Sequence, residues 1–145
     1  MRLVDEREAV EILEARAVLE GLAARQAAAN ATDRDIASLR RILGHMRQLL
    51  DAGDPLGASD QNAALHHRLL EVAGHDTARR LISTLNSQLV RFQYRTILLP
   101  GRSERSIAEH TAIVEAVAAR DPEAAERAMR THLSHVADAL RSATR

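Results

Sequence analysis

The sequence predicts an all-α protein, an antiparallel bundle of about six helices, and three observations carry that expectation. Ala occurs 27 times and Leu 19 times in 145 residues, whereas Phe92 and Tyr94 are single examples of their kind. Ala and Leu lead the helix-propensity scale, while strands favour the aromatic and β-branched residues that are scarce here. Apolar residues also recur at helical spacing along most of the chain. Finally, helix start and stop signals punctuate it: Asp54-Pro55 and Asp121-Pro122 as cap plus proline, and Gly53, Gly74 and Pro100-Gly101 as ends. One domain over 1–145 accounts for the whole, with a length that buries roughly 70% of the unfolded chain's surface.

The elements follow in order. The first helix is expected from about Asp5 to Ala29, with Ile12, Leu19, Leu22 and Ala23 on a broad apolar face. That breadth suggests a helix covered on two sides, in part by a second subunit. Thr32, with Asp35 three residues on, reads as a capping-box variant opening a second helix through Ile36, Leu39, Leu43 and Met46 to Gly53. The third runs from Pro55 through Leu65, Leu69 and Val72 to Gly74, and the fourth as one piece from about Thr77 to Leu98. Ser103 is expected to cap the fifth, which ends near Arg120, and the sixth runs to about Ser142.

Composition narrows the function. No Cys is present, so disulfides, thiolate metal sites and Cys nucleophiles are excluded. No apolar run approaches the roughly 20 residues of a membrane helix, and MRLVDEREAV lacks a signal-peptide core. A formal net charge of zero argues against a DNA-binding surface on this stretch. The expectation is a cytoplasmic protein that touches neither membrane nor, by itself, DNA.

The histidines stand out. His110 lies 11 residues before Asp121 and His132 lies 11 after it. If Asp121-Pro122 closes a tight turn, both sit about 16 Å from it on neighbouring helices, at a rise of about 1.5 Å per residue. Ile107, Val114 and Val117 place His110 on an apolar stripe, and Ala125, Ala128, Met129 and Val136 do so for His132. His66 is flanked in the same way by Ala63, Leu69, Leu70 and Ala73, with Asn62 four residues earlier on its face. Three inward imidazoles and an amide oxygen at matched depth form a metal-site pattern for a helical bundle, and three His ligands leave open positions. The pattern equally allows three hydrogen-bonded core histidines. His67, His45 and His75 are expected at the surface or in loops, and His135 beside the cluster or in solvent. Asp60 falls on another face. Glu71 and Glu109 are the nearest candidate bases, with Glu109 expected to face away from His110.

Three segments resemble one family. Glu14-Ala15-Arg16 followed by Leu19-Glu20 resembles the E-x-R-x-x-L-E opening of the FCD domain. That is the C-terminal effector-binding domain of FadR-branch GntR-type transcription regulators. Asn62-Ala-Ala-Leu65-His66, with Leu69 and Ala73-Gly74, resembles the family's D-x-x-F-H-x-x-L…A-G-N signature. Glu109-His110 through Asp121, Ala124-Ala125, Met129 and His132-Leu133 resembles its closing pattern, the two histidines 22 apart. Leu65 stands where Phe is usual and Asn62 where Asp is usual.

The resemblance implies a dimerising bundle that binds a divalent metal through Asn62, His66, His110 and His132. Zinc is the first expectation, with nickel, manganese or iron as alternatives. It also implies a small carboxylate effector that completes the site and controls DNA binding by an N-terminal domain. Met1-Arg2-Leu3-Val4 resembles the end of the strand and linker before the domain, and no winged helix-turn-helix precedes it in this chain. A neutral Asn in place of Asp leaves the ion's charge uncompensated, which favours an anionic ligand. Arg16, on an apolar face, reads either as an ion pair with Glu20 or as a clamp on the effector carboxylate; Arg91, then Arg95, are candidate helpers. The competing expectations are a metal-dependent hydrolase using the three His and a purely structural interaction bundle. No catalytic motif such as H-E-x-x-H is present, so the expectation is not an enzyme.

Overall fold

The computed structural model describes residues 3–143; Met1 and Arg2 of the stretch likened to a linker lie outside them. The described residues form seven helices: α1 Glu6–Asn30, α2 Asp33–Asp51, α3 Pro55–Ala73, α4 Asp76–Ser87, α5 Val90–Ile97, α6 Arg102–Ala118 and α7 Pro122–Ala143. Among them there is no strand, as the composition predicts.

Most boundaries fall where the side chains dictate. Asp5 accepts from the Glu8 amide, and Thr32 and Asp35 close a reciprocal capping box. Asp54 caps α3 ahead of Pro55, and Gly74 ends it at φ 68°, a left-handed turn that glycine enters without steric cost. The Asp121 carboxylate accepts from the Ala124 amide at the start of α7.

Two expectations need correction. The fourth helix is not one piece but breaks at Gln88 and Leu89, whose amides bond three residues back to Leu85 and Asn86. Thr84 and Ser87 already turn their hydroxyls onto backbone carbonyls at 3.2 and 2.7 Å, a competition that weakens a helix interior. That helix starts at Asp76, beside the expected Thr77, where the His75 ring accepts from the Ala78 amide and acts as its cap. Ser103 does not cap α6; the helix begins at Arg102, after Gly101 at φ 75°, with no side-chain cap.

Helix α1 is the central element. Its short side chains Ala9, Ala23, Ala24, Ala27 and Ala28 are essentially fully buried, which lets neighbouring helices approach closely. At Gly21 an added Cβ would come within 3.0 Å of the Arg130 side chain of α7. Helices α3, α4, α6 and α7 all pack on α1, so its two apolar sides are covered within one chain. The breadth of that face is therefore explained without a second subunit.

Two apolar clusters result. The larger, around Leu39, Leu65, Leu69, Ile113, Val114, Met129 and Leu133, joins α1, α2, α3, α6 and α7. The smaller joins Val4, Ile12 and Leu13 to Leu89 and Phe92 of the α5 region and to Leu140 of α7. Each fully buried Leu contributes about 2 kcal/mol by removal from water. The histidine-bearing helices α3, α6 and α7 are thus held by the larger cluster, and α5 by the smaller.

Candidate metal centre

The fold brings His66, His110 and His132 together from α3, α6 and α7, all buried. Ring centroids are 5.1 Å apart for His66 and His110, 5.5 Å for His66 and His132, and 4.2 Å for His110 and His132. One ligand nitrogen from each ring lies within 4.8 Å of the others.

Each ring is held by its Nδ1. In His66 that nitrogen is 2.7 Å from Glu20 Oε1, in His110 it is 2.7 Å from the Ser106 carbonyl, and in His132 it is 2.6 Å from Glu109 Oε1. Carbonyls and ionised carboxylates only accept, so the proton of each ring belongs on Nδ1 and the Nε2 lone pair is free. Those lone pairs converge: Nε2 of His66 and of His110 are 3.0 Å apart. Two bare acceptors at that distance repel, and the contact requires a proton or a metal ion between them. Two nitrogens bound at about 2.1 Å to one ion stand about 3.0–3.4 Å apart at angles from square to tetrahedral.

Asn62 lies one turn before His66 on α3. Its Oδ1 is buried and has no hydrogen-bond partner among the described residues, which is costly for an amide oxygen unless something occupies the space before it. The donor set, three imidazoles and one carbonyl-type oxygen, fits a divalent transition ion.

The carboxylates behind the rings are themselves paired. Glu20, fully buried on α1, takes Arg16 Nε and Nη2 on its other oxygen at 2.8 and 2.5 Å. Burial alone would raise its carboxyl pKa, but Arg16 and then His66 outweigh it and hold it well below the usual carboxylate range. Glu109 accepts from Arg102 Nη2 and Nη1 at 2.7 and 3.2 Å, from His132, and from His135 Nδ1 at 2.8 Å. Burial again opposes, and the His132, Arg102 and His135 bonds hold its carboxyl low. Burial, reinforced by His132 and His66, keeps His110 well below an ordinary imidazole pKa. Burial lowers His132 to about 4 despite the upward pull of its Glu109 bond.

A cavity of about 580 Å³ opens onto this cluster, its wall including Arg16, Asn62, His66, Arg102, Ser106 and His132. Arg16 meets both descriptions of it: paired to Glu20 and set in the cavity wall. Arg91 is not on that wall. Its guanidinium donates to the Val4 carbonyl and lies 4.7 Å above the Phe92 ring, joining α5 to the segment before α1. Arg95 also lies against Phe92, at 5.4 Å. His45 and His67 are exposed, as expected.

Glu109 is the main surprise. It does not face away from the cluster but crosses to α7 and binds two histidines there. Arg102, seven residues earlier and so on the same side of α6, was the available signal. Glu20 was legible too, because Leu13, Ala17, Ala23, Ala24 and Ala27 surround it at helical spacing.

Comparisons with known proteins agree with this architecture. The FCD domain family matches residues 11–135. The transcriptional repressor NanR of Citrobacter rodentium is 33% identical over 83% of this chain and 46% of its own length. The Uxu operon regulator of Haemophilus influenzae is 30% identical over 87% of this chain and 48% of its own. The chain thus spans about half the length of the curated relatives it matches. Among solved structures, Escherichia coli McbR/YncC superposes with a TM-score of 0.88 at 19% identity, over 98% of this chain and 68% of that one. Streptococcus agalactiae GntR gives 0.75 at 24%, over 91% and 58%. At those identities the two structures speak for the fold alone.

Proposed function

The chain belongs to the FCD domain family of GntR-type regulators, and on that premise we propose that it senses a small carboxylate through a metal ion held by His66, His110, His132 and Asn62. The observation that carries the reading is the bonding pattern of the four residues. Every ring Nδ1 is committed to an acceptor, Nε2 of His66 and of His110 meet 3.0 Å apart, and among the described residues the buried Asn62 oxygen has no partner. Outer hydrogen bonds of this type orient histidine ligands in metalloproteins. Zinc suits the set best, and nickel, manganese and iron are compatible with it.

Charge then points to the class of effector. As metal ligands, imidazoles and an Asn amide carry no charge, while Glu20 and Glu109 are each matched by an arginine. A divalent ion in this site keeps its full charge, and a carboxylate ligand neutralises part of it. When bound, the ion supplies a positive anchor for a carboxylate oxygen. Arg16 uses Nε and Nη2 on Glu20, so Nη1 remains to donate to the same ligand from the cavity wall. Arg91 is withdrawn to the Val4 carbonyl and has no part in this reading.

Effector binding in a homodimer would shift the balance between dimer arrangements and so reposition DNA-binding domains of the whole regulator, in the cytoplasm. A sensor is preferred to a hydrolase because Glu109, the acid nearest the histidines, already accepts four hydrogen bonds and has no capacity left for a water proton. One observation favours a structural bundle instead: a proton on His66, between Glu20 and His110, also satisfies the 3.0 Å contact.

Metal analysis of untagged protein purified without chelator separates the two. About one ion per chain, absent in His66→Ala, is the expected result. A metal-free protein that takes up none of zinc, nickel, manganese or iron from added salts refutes the metal-dependent reading.

A further inference from the structure

We infer that Glu109, gripped by Arg102, is the positioning residue that makes His132 a metal donor; this rests on the metal reading above. His66 and His132 both lean on carboxylates, and His110 leans on the Ser106 carbonyl of its own helix. The three supports differ in what holds them. A backbone carbonyl inside α6 is fixed by the helix, and Glu20 is fully buried in the core. Glu109 is on the rim of the cluster, with 12% of its side chain exposed, and it must span from α6 to α7.

The Arg102 guanidinium supplies the missing rigidity. Its Nη2 and Nη1 bind Oε1 and Oε2 of Glu109 in a two-pronged contact, which fixes the carboxylate plane. With the plane fixed, the remaining lone pairs have set directions. The one on Oε1 meets His132 Nδ1 at 2.6 Å and the one on Oε2 meets His135 Nδ1 at 2.8 Å. His132 is thereby held with its proton on Nδ1 and Nε2 turned into the cluster. His135, half exposed one turn along α7, closes the last acceptor position and leaves the carboxylate no alternative orientation. The chain Arg102–Glu109–His132 thus sets ring orientation and donor strength, although neither Arg102 nor Glu109 is a ligand.

The test uses zinc, titrated against a chromophoric chelator into wild type, Glu109→Gln and Arg102→Lys, with Glu115→Gln as a surface control. Gln keeps the volume but removes the charge and half of the acceptor positions; Lys keeps the charge but not the fork. The expected result is a Kd raised about 10–100-fold in Glu109→Gln, a smaller rise in Arg102→Lys, and none in the control. In metal-free protein, ¹⁵N-detected ring shifts should show His132 protonated on Nδ1 in wild type and a mixture of tautomers in Glu109→Gln. A merely structural ion pair would lower melting temperature without moving either readout. Should Glu109→Gln fail to fold, Arg102→Lys carries both measurements. Zinc affinity within twofold of wild type and an unchanged His132 tautomer in a folded variant overturn the inference while leaving the metal reading intact. A wild type that binds no zinc or other divalent ion overturns both.

Discussion

Two walls of the same cavity are built on opposite plans. The histidine wall comes from α3, α6 and α7, helices of 19, 17 and 22 residues, and each imidazole of the cluster is tied to an acceptor at 2.6–2.7 Å. The facing wall comes from α4 and α5, of 12 and 8 residues, separated by the break at Gln88 and Leu89. There the polar side chains Ser83, Asn86, Ser87 and Gln93 are exposed, and α5 is anchored mainly by Phe92 in the smaller apolar cluster and by Arg91 on the Val4 carbonyl. The wall that carries the candidate ligands is over-determined, whereas the facing one is built from short, separable pieces.

The contrast can be broken at several points. The largest effect is expected at the histidine wall, where His132→Ala should abolish metal uptake, a loss of more than 100-fold, read by equilibrium metal titration. On the other wall the most damaging change is Phe92→Ala, which should cost about 3–4 kcal/mol in chemical denaturation through the cavity it leaves, with metal stoichiometry unchanged. If Phe92→Ala removes the metal as well, the two walls are not independent.

Chelation should sharpen the same distinction. At a free zinc concentration a hundredfold above Kd the ion stabilises by about 2.7 kcal/mol, so a chelator should lower the melting temperature by about 5–10 °C. That drop should vanish in His132→Ala. Acid should act on the metal-free histidine wall as well. His132 titrates near 4 when folded against 6.5 ordinarily, so below pH 6.5 the unfolded chain takes up the proton and the folded one does not. Stability present at pH 7 should therefore fall as pH drops from 6.5 towards 4, by on the order of 2 kcal/mol at pH 5. His110, depressed in the same direction, adds to the loss. Flat stability between pH 7 and 5 in chelated protein would show that the rings are not held neutral. The smallest effect is expected from Arg91→Ala, whose exposed side chain should contribute less than about 1 kcal/mol and leave metal uptake unaltered.

How much of this was legible before folding differs by residue. The depth of His110 and His132 and the direction of all three histidines were readable because helical geometry is regular: equal counts from a tight turn give equal height, and flanking apolar residues give the face. The Thr32 and Asp54 caps were readable for the same local reason. The role of Glu109 was not, because its partners His132 and His135 meet it only when α6 and α7 lie side by side, and a long side chain can swing off its nominal face. Nor was the break in the fourth helix, since no Gly or Pro marks it. Arg91 showed the reverse error: a cation near the right helix, drawn instead to the Val4 carbonyl in the segment before α1.

By itself, then, the sequence determined the helices, most of their ends and which histidines point inward, since each depends on neighbours within a turn or two along the chain. Tertiary structure decided which carboxylate holds His66, which holds His132, and which cations reach the cavity. Those outcomes depend on distances of 2.6–2.7 Å between residues brought from different helices, and no local periodicity encodes them.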